Sequence, residues 1–218
     1  VKVLEDRRTG DEVPYQMPEH CPVCGAKTHR EPGVAKRYCT NAACPAQLKE
    51  RIHHFVGRSA MDIEGLGEKL ADRFVDLGWI KDISDIYHLD MEQVAGLEGF
   101  GEKSAENLKA AIEKSKQQPL WRLIHGLGIQ HVGGRTAELL ASRFGSMDAL
   151  IAASVEEIEE IPGIGKIVAQ SVYDFAQEER NQKLIERLAA AGLTVSEERD
   201  EADGARPLEG YTLVLTGK

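Results

Sequence analysis

At 218 residues, with 29% of them charged and only 6% aromatic, the chain has the composition of a helix-leaning globular protein long enough for one or two domains with a real core. A formal net charge of −9 excludes a generally adhesive nucleic-acid binder, so contact with a polyanion has to come from locally basic surfaces. No apolar run approaches the roughly 20 residues of a membrane span, and the first residues do not read as a signal peptide, so no membrane partner is expected.

Residues 1–20 read as a short strand at Val1-Lys2-Val3-Leu4, a charged turn from Asp6 to Asp11 and a connector bounded by Pro14 and Pro18. Cys21-x2-Cys24 and Cys39-x4-Cys44 follow, the only four cysteines, with fourteen residues between the pairs. Close pairs on two knuckles, with Gly25 after the first, suit a tetrahedral site of four thiolates. The segment 21–49 holds too few apolar residues to fold unaided, so a bound metal would supply its folding energy. Two other chemistries compete: paired disulfides, which need an oxidising compartment, and a redox Cys-x-x-Cys, which has no use for the second pair. Zinc is the expectation, in a structural role. His20, His29, His53 and His54 are close in sequence, but four thiolates close the coordination shell and leave no place for a water. From Cys21 to Arg58 seven basic residues (Lys27, Arg30, Lys36, Arg37, Lys49, Arg51, Arg58) face two acids (Glu31, Glu50), a patch that either meets phosphates or is solvated.

A helix is predicted from about Pro45 to Phe55, and the repeats begin after it. Leu70, Phe74 and Leu77 recur at helical spacing and are expected to line one face of the next helix, with Gly78 ending it. Asp90 reads as the N-cap of a short helix, and the longest helix of this half is predicted over about Glu102 to Lys116. Pro119 opens the second half, where Trp121, Leu123 and Ile124 are assigned to the core. Ser146 and Ser154 are N-cap candidates, and Ser154 with Glu157 makes a capping-box pattern. Leu139, Leu140 and Phe144, then Val168, Val172 and Phe175, supply apolar stripes, and a last helix runs from about Arg180 to Ala191 before Gly192. Residues 196–207 are acidic, nearly free of large apolar groups and read as a linker. Leu208 to Gly217 begins a strand, and with Val1 at one end and Lys218 at the other the chain reads as an excised piece of a longer protein.

One unit recurs through this helical stretch. Ile161-Pro162-Gly163-Ile164-Gly165, reaching Ala169, is matched by Ile63-Glu64-Gly65-Leu66-Gly67 to Ala71 and by Leu97-Glu98-Gly99-Phe100-Gly101 to Ala105. A third copy, His131-Val132-Gly133 to Ala137, lacks only the first glycine. The second glycines (67, 101, 133, 165) lie 34, 32 and 32 residues apart, a repeat period. Two glycines around one apolar residue give a tight hairpin that can take positive φ at either glycine and let another backbone approach closely. The apolar residue turns inward, and the alanine lets two helices close up. What remains outward is a row of N–H groups at a helix N-terminus, an anion site, with a cation in its first turn: Lys69, Lys103, Arg135 or Lys166. A cation there opposes the helix dipole, so stability does not explain it, whereas a phosphate between the N–H groups and the cation does. Lys114, away from any hairpin, serves as the comparison. His131 in place of a glycine is compatible with the turn at some strain and puts a polar group there.

This unit resembles the helix-hairpin-helix motif, which grips DNA backbone across the minor groove without reading sequence. Four copies behind a four-cysteine finger, from about Pro18 to the last residue, resemble the C-terminal half of bacterial NAD-dependent DNA ligases. The resemblance implies a mainly α fold: a four-cysteine zinc finger, four helix-hairpin-helix repeats arranged as two pairs, and short strand remnants at both ends. It implies domains at 1–20 (tail of an OB-fold domain and connector), 21–49 (finger), 50–195 (hairpin domain, 50–117 and 118–195 as its pairs), 196–207 (linker) and 208–218 (first strand of a truncated BRCT domain). Zinc on Cys21, Cys24, Cys39 and Cys44 is structural, and NAD and Mg2+ belong to the parent enzyme outside this chain. The DNA contacts it implies are Gly65, Gly67, Lys69, Gly99, Gly101, Lys103, His131, Gly133, Gly134, Arg135, Gly163, Gly165 and Lys166. The partner it implies is nicked duplex DNA, bound by a monomer at the nucleoid in the bacterial cytoplasm.

The adenylating lysine of such enzymes sits in a Lys-x-Asp-Gly motif. The only Asp-Gly here is Asp203-Gly204, preceded by Glu201 two positions before the aspartate, so no catalytic residue is expected in this chain. A non-enzymatic repair protein built on the same hairpins, and a scaffold whose repeats bind protein, are the competing readings.

Overall fold

The computed structural model describes residues 8–11, 13, 15–30, 33, 36–41 and 44–197. The strands expected at residues 1–4 and 208–217, and residues 198–207 of the expected linker, lie outside them. The chain divides into two compact units, one reaching Glu50 and the other starting at Arg51.

In the first unit, β1 (Thr28–His29) pairs antiparallel with β2 (Tyr38–Cys39), Thr28 opposite Cys39 and His29 opposite Tyr38. His20 bridges Lys27 beside them. Among the described residues of this unit only Cys21 and Cys44 are buried. Among the described residues this unit has no apolar core, in keeping with the few apolar residues of 21–49. Helix α1, Pro45–Val56, begins here and runs into the second unit.

The second unit is all helical among its described residues: α2 (Glu68–Asp76), a 3-10 segment (Ile83–His88), α3 (Met91–Ala95), α4 (Glu102–Ser115), α5 (Leu120–Gly126), α6 (Gly134–Phe144), α7 (Met147–Ala152), α8 (Val155–Glu159), α9 (Lys166–Gln177) and α10 (Glu179–Ala190). Helices α3 and α4, α5 and α6, and α8 and α9 pack as neighbouring pairs. The mainly α fold with a four-cysteine cluster and tandem hairpins is therefore the one observed.

Local chemistry explains most element boundaries. Asp90 accepts from the N–H groups of Glu92 (2.9 Å) and Gln93 (3.4 Å) and starts α3. Ser154 and Glu157 exchange both bonds of a capping box, 3.2 and 2.8 Å, at the start of α8. Ser146 accepts from Ala149 N at 3.1 Å. At the end of α2 the expectation fails for one residue: Phe74 is fully buried but Leu77 is 48% exposed. The helix stops at Asp76, and Gly78 takes φ +73°, so the chain reverses there. Trp79 then donates to Phe74 O at 2.9 Å and stacks its ring on that phenyl, filling the place Leu77 was expected to take. In the later stripes Leu140, Phe144 and Val172 are buried, while Leu139, Val168 and Phe175 are half-buried.

The two halves of this unit share one core. An added Cβ on Gly126 would stand 3.1 Å from Phe55 Cδ2 and 3.4 Å from Ala60 Cβ, so α5 approaches α1 as closely as a missing side chain allows. Arg122 donates to Arg58 O (2.9 Å) and Ala60 O (2.7 Å), and Arg187 meets Asp82 at 2.5 Å. The expected linker begins two residues too early. Ser196 bridges Ser146, Glu197 N donates to Gly145 O at 2.8 Å, and the Glu197 carboxylate accepts Leu120 N–H at 2.7 Å. Glu197 satisfies a helix-start donor that Pro119, lacking a capping side chain, cannot.

Candidate nucleic-acid interface and metal centre

The four cysteine sulfurs lie within 4.8 Å of one another. Cys21 and Cys44 are 3.9 Å apart, Cys24 and Cys39 3.5 Å. A tetrahedron with metal–sulfur bonds of about 2.3 Å has sulfur–sulfur edges of about 3.8 Å, so the spacing fits zinc and is far too long for disulfides. The knuckles are backbone-built: Gly25 at φ +70° lets Gly25 N return to Cys21 O (2.9 Å), and Asn41 N donates to Cys39 Sγ (3.4 Å). Hydrogen bonds from the Ala26 backbone and Asn41 pull the Cys24 thiol down to about 6. Cys39 receives the Asn41 backbone bond that favours its thiolate, yet burial and the neighbouring Cys24 and Cys21 push it up to about 12. Without a cation the four sulfurs compete for negative charge; a divalent metal removes that conflict. The chain carries a structural zinc-binding cluster. Part of the surrounding basic patch serves the finger itself, since Arg37 donates to Thr28 Oγ1 at 2.9 Å.

The four hairpins share one construction. Leu66 N, Phe100 N, Val132 N and Ile164 N donate to Ile63 O, Leu97 O, Ile129 O and Ile161 O at 2.9–3.2 Å, each closing a four-residue turn. Its third residue has positive φ: Gly65 +85°, Gly99 +82°, His131 +66° and Gly163 +94°. The second glycines do not. Gly67, Gly101, Gly133 and Gly165 have φ between −76° and −149° and act as helix N-caps, their carbonyls accepting from Ala71, Ala105, Ala137 and Ala169. Of the two positions expected to be able to take positive φ, only the first does so. At the second glycines an added Cβ would meet nothing within 4 Å, so whatever requires a missing side chain there is outside the protein. Gly134, by contrast, lies 3.9 Å (as an added Cβ) from Trp121 Cζ3, an ordinary internal contact.

Leu66, Val132 and Ile164 are buried and pin their hairpins; Phe100 is only half-buried. The four alanines are all buried. Lys69, Lys103, Arg135 and Lys166 are exposed in the first turns of α2, α4, α6 and α9. Arg135 is held by Glu138 at 2.9 Å, while the three lysines make no ion pair among the described residues. All four of these helices start without a side-chain cap. The 3-10 segment, α3, α7 and α8 are capped by Asp82, Asp90, Ser146 and Ser154. Uncapped N–H groups therefore lie at all four hairpins beside a cation, while α10, also without a side-chain cap, carries Glu179 in its first turn instead.

The hairpins differ in two ways that the repeat alone hides. Glu64 and Glu68 flank the first and Glu98 and Glu102 the second, whereas the third and fourth have no acid between the turn and the cation. The fourth carries its cation one position earlier, and Ile167, 72% exposed, occupies the helix position that holds Lys69, Lys103 and Arg135 elsewhere. Both differences are legible in the sequence once the copies are aligned. Lys114 does not stand apart from the hairpins: it lines an open groove of about 580 Å³ with Asp62, Glu64, Phe100, Ser104 and Asn107.

Three family models match: a NAD-dependent DNA ligase C4 zinc finger domain over residues 20–46, a SAM-like helix-hairpin-helix tandem over 58–114 and a helix-hairpin-helix motif over 122–185. The fold and site define a zinc-finger and helix-hairpin-helix DNA-binding fragment. Curated relatives over the whole chain are the DNA ligases of Thermomicrobium roseum (50% identical, 100% of this chain, 32% of the relative), Rubrobacter xylanophilus (49%, 100% and 32%) and Natranaerobius thermophilus (47%, 100% and 33%). Domain content and relatives together support a fragment of the DNA-ligase family. The chain spans about a third of the length of the relatives it matches. One expectation is corrected: a C-terminal fragment running into a BRCT domain does not stand. The matched family models are finger and hairpins, the last of them ends at residue 185, and none of the three is a BRCT domain. No helix among the described residues is long and apolar enough to cross a membrane.

Proposed function

We propose that this chain is the DNA-gripping part of an NAD-dependent DNA ligase that seals 3′-OH/5′-phosphate nicks in duplex DNA. The supporting observation is the segregation of caps. The 3-10 segment, α3, α7 and α8 are closed by their own N-cap side chains and α5 by Glu197, and the uncapped α10 carries Glu179 in its first turn, whereas the four helices that start at hairpins are left open with a cation there. Each open start holds one phosphate oxygen cluster through N–H groups, with Lys69, Lys103, Arg135 or Lys166 beside it and Gly67, Gly101, Gly133 or Gly165 letting the backbone approach. The turns at Gly65, Gly99, His131 and Gly163 hold those starts in place, Gly134 seats α6 against Trp121, and His131 adds a polar group. Such contacts follow the minor-groove edges and carry no sequence information. The chain works as a monomer, in the bacterial cytoplasm at the nucleoid. Domains fall at 21–49 and 50–195, NAD and Mg2+ act on parts of the enzyme outside this chain, and the chemistry gains from the positioning supplied here.

A salt titration of nicked-duplex binding tests this. Each phosphate neutralised adds about 0.9 to the slope of log K against log salt, and Lys69→Ala, Lys103→Ala, Arg135→Ala or Lys166→Ala should each remove up to that much on every sequence alike. Binding that ignores salt, or that survives all four changes together, would leave the repeats as a protein-binding scaffold.

A further inference from the structure

Beneath the third hairpin lies a pair of histidines that phosphate binding does not use. His54, on α1, and His125, at the end of α5, stand edge to face with ring centroids 4.7 Å apart. His54 Nε2 donates to the backbone carbonyl of His125 at 2.8 Å, a carbonyl that also accepts Gly128 N–H at 3.1 Å. An added Cβ on Gly128 would stand 3.7 Å from His54 Cδ2, so the His54 ring lies directly under the turn leading into the hairpin. His125 in turn hydrogen-bonds the backbone of Val132, the buried residue at the hairpin tip. Its remaining nitrogen, Nδ1, is buried and has no partner. A neutral ring tolerates that nitrogen as an idle acceptor. A protonated ring puts an N–H there with nothing to receive it, a few ångströms from a second imidazole.

We infer that His125 is a positioning residue for the third hairpin: neutral, it seats the loop bearing Val132 and Gly133, and its protonation releases that loop. Burial and the neighbouring His54 lower its proton affinity against the opposing Val132 bond, in keeping with a ring held neutral. The sign follows. A histidine whose folded value is depressed contributes its full stability above the ordinary value near 6.5, and that contribution is lost as pH falls below it. Among the described residues, the ionisable groups on the turn and its two helices include His131 at the tip, Arg135 with its partner Glu138 on α6, and Arg122 on α5 itself, turned to the Arg58 and Ala60 carbonyls. Resting on the reading of the hairpins as phosphate contacts, the consequence is that the third grip loosens under mild acid while the fourth, with no histidine in its turn, does not.

Amide hydrogen exchange on the zinc-loaded chain separates these groups. In a His131→Asn background, which removes the imidazole at the hairpin tip and keeps a residue tolerant of positive φ, protection over 129–137 is compared with the equivalent 161–169 between pH 7.5 and 5.5. The expected result is a relative loss at the third hairpin of up to about tenfold per pH unit, flattened by His125→Gln. Parallel loss at both hairpins, or a pH dependence that persists in His125→Gln, overturns the inference. The salt slope of duplex binding, measured in the same background, should fall by up to about one unit at pH 5.5. An unchanged slope overturns the link to DNA. If the unsubstituted chain binds no duplex at any pH, the phosphate reading fails, and hydrogen exchange still decides the role of His125.

Discussion

Replacing Gly163 by alanine and Gly165 by alanine, two residues apart on one hairpin, should damage different properties. Gly163 has φ +94°, and its added Cβ would find Leu139 Cδ1 at a comfortable 3.8 Å, so the penalty is conformational and not steric crowding. A left-handed non-glycine residue costs roughly 1–2 kcal/mol, and the stiffer unfolded chain returns about 0.4–1. The net loss is about 1 kcal/mol, a fall of roughly 2–4 °C in Tm for a chain of this size. Gly165, at φ −97° and ψ 169°, is already where alanine rests, and its Cβ points into open space. There the unfolded-state gain offsets alanine's poorer capping, leaving stability within about 0.5 kcal/mol. Duplex affinity should show the opposite pattern for Gly165→Ala: a severalfold loss at unchanged Tm, because the new methyl occupies the approach of the phosphate. Denaturation and fluorescence anisotropy on a nicked duplex measure both quantities on the same samples. Equal destabilisation by the two changes would refute the assignment of the turn to the first glycine. A Gly165→Ala chain that is stable and binds duplex normally would show that no backbone approaches there.

Purified without chelator, the chain should hold one zinc, and Cys39→Ser or chelation should unfold the first unit, whose only buried described residues are cysteines; zinc content unchanged in Cys39→Ser would remove the assignment. Labelled adenylate from NAD should not appear on this chain; its appearance would place a nucleophile here. Among the cation changes, Lys69→Ala and Lys103→Ala should flatten the salt slope less than Arg135→Ala and Lys166→Ala, since two glutamates flank each of the first two hairpins; equal effects would show that those acids point away from the DNA. His131→Gly should raise stability by up to about 1 kcal/mol by relieving φ +66°, and an unchanged Tm would mean that the imidazole returns that energy in contacts.

Caps and cysteines were legible in the sequence because their chemistry is local: Asp90, Ser154 with Glu157, and the two close cysteine pairs act within a few residues. The repeat gave the hairpins, but not which glycine bears the strain, because two glycines two residues apart look alike until φ is known. Leu77 shows the limit of periodicity, which continues past the glycine where the helix stops. His54 and His125 are 71 residues apart, and Glu197 reaches Leu120 across 77. Nothing local announces such pairs. Lys114 reads as remote along the chain and lies in a groove with Glu64 in space.

The return of the chain at residues 194–197 closes the second half into a ring. Thr194 bonds Lys116 O through both its N–H and its hydroxyl, at 3.1 Å each, and Glu197 caps the helix start at Leu120, so the ring's entrance and exit are neighbours. A segment whose two ends meet can be joined to a chain at a single place, which is the property a gene needs to copy a working pair of hairpins in tandem, although removing this one would uncover Phe55 and Ala60 where Gly126 packs. It also sets where such a cassette may be cut: trimming after Val195 keeps every hairpin yet strips the cap from α5, so the third hairpin would be the first to fray.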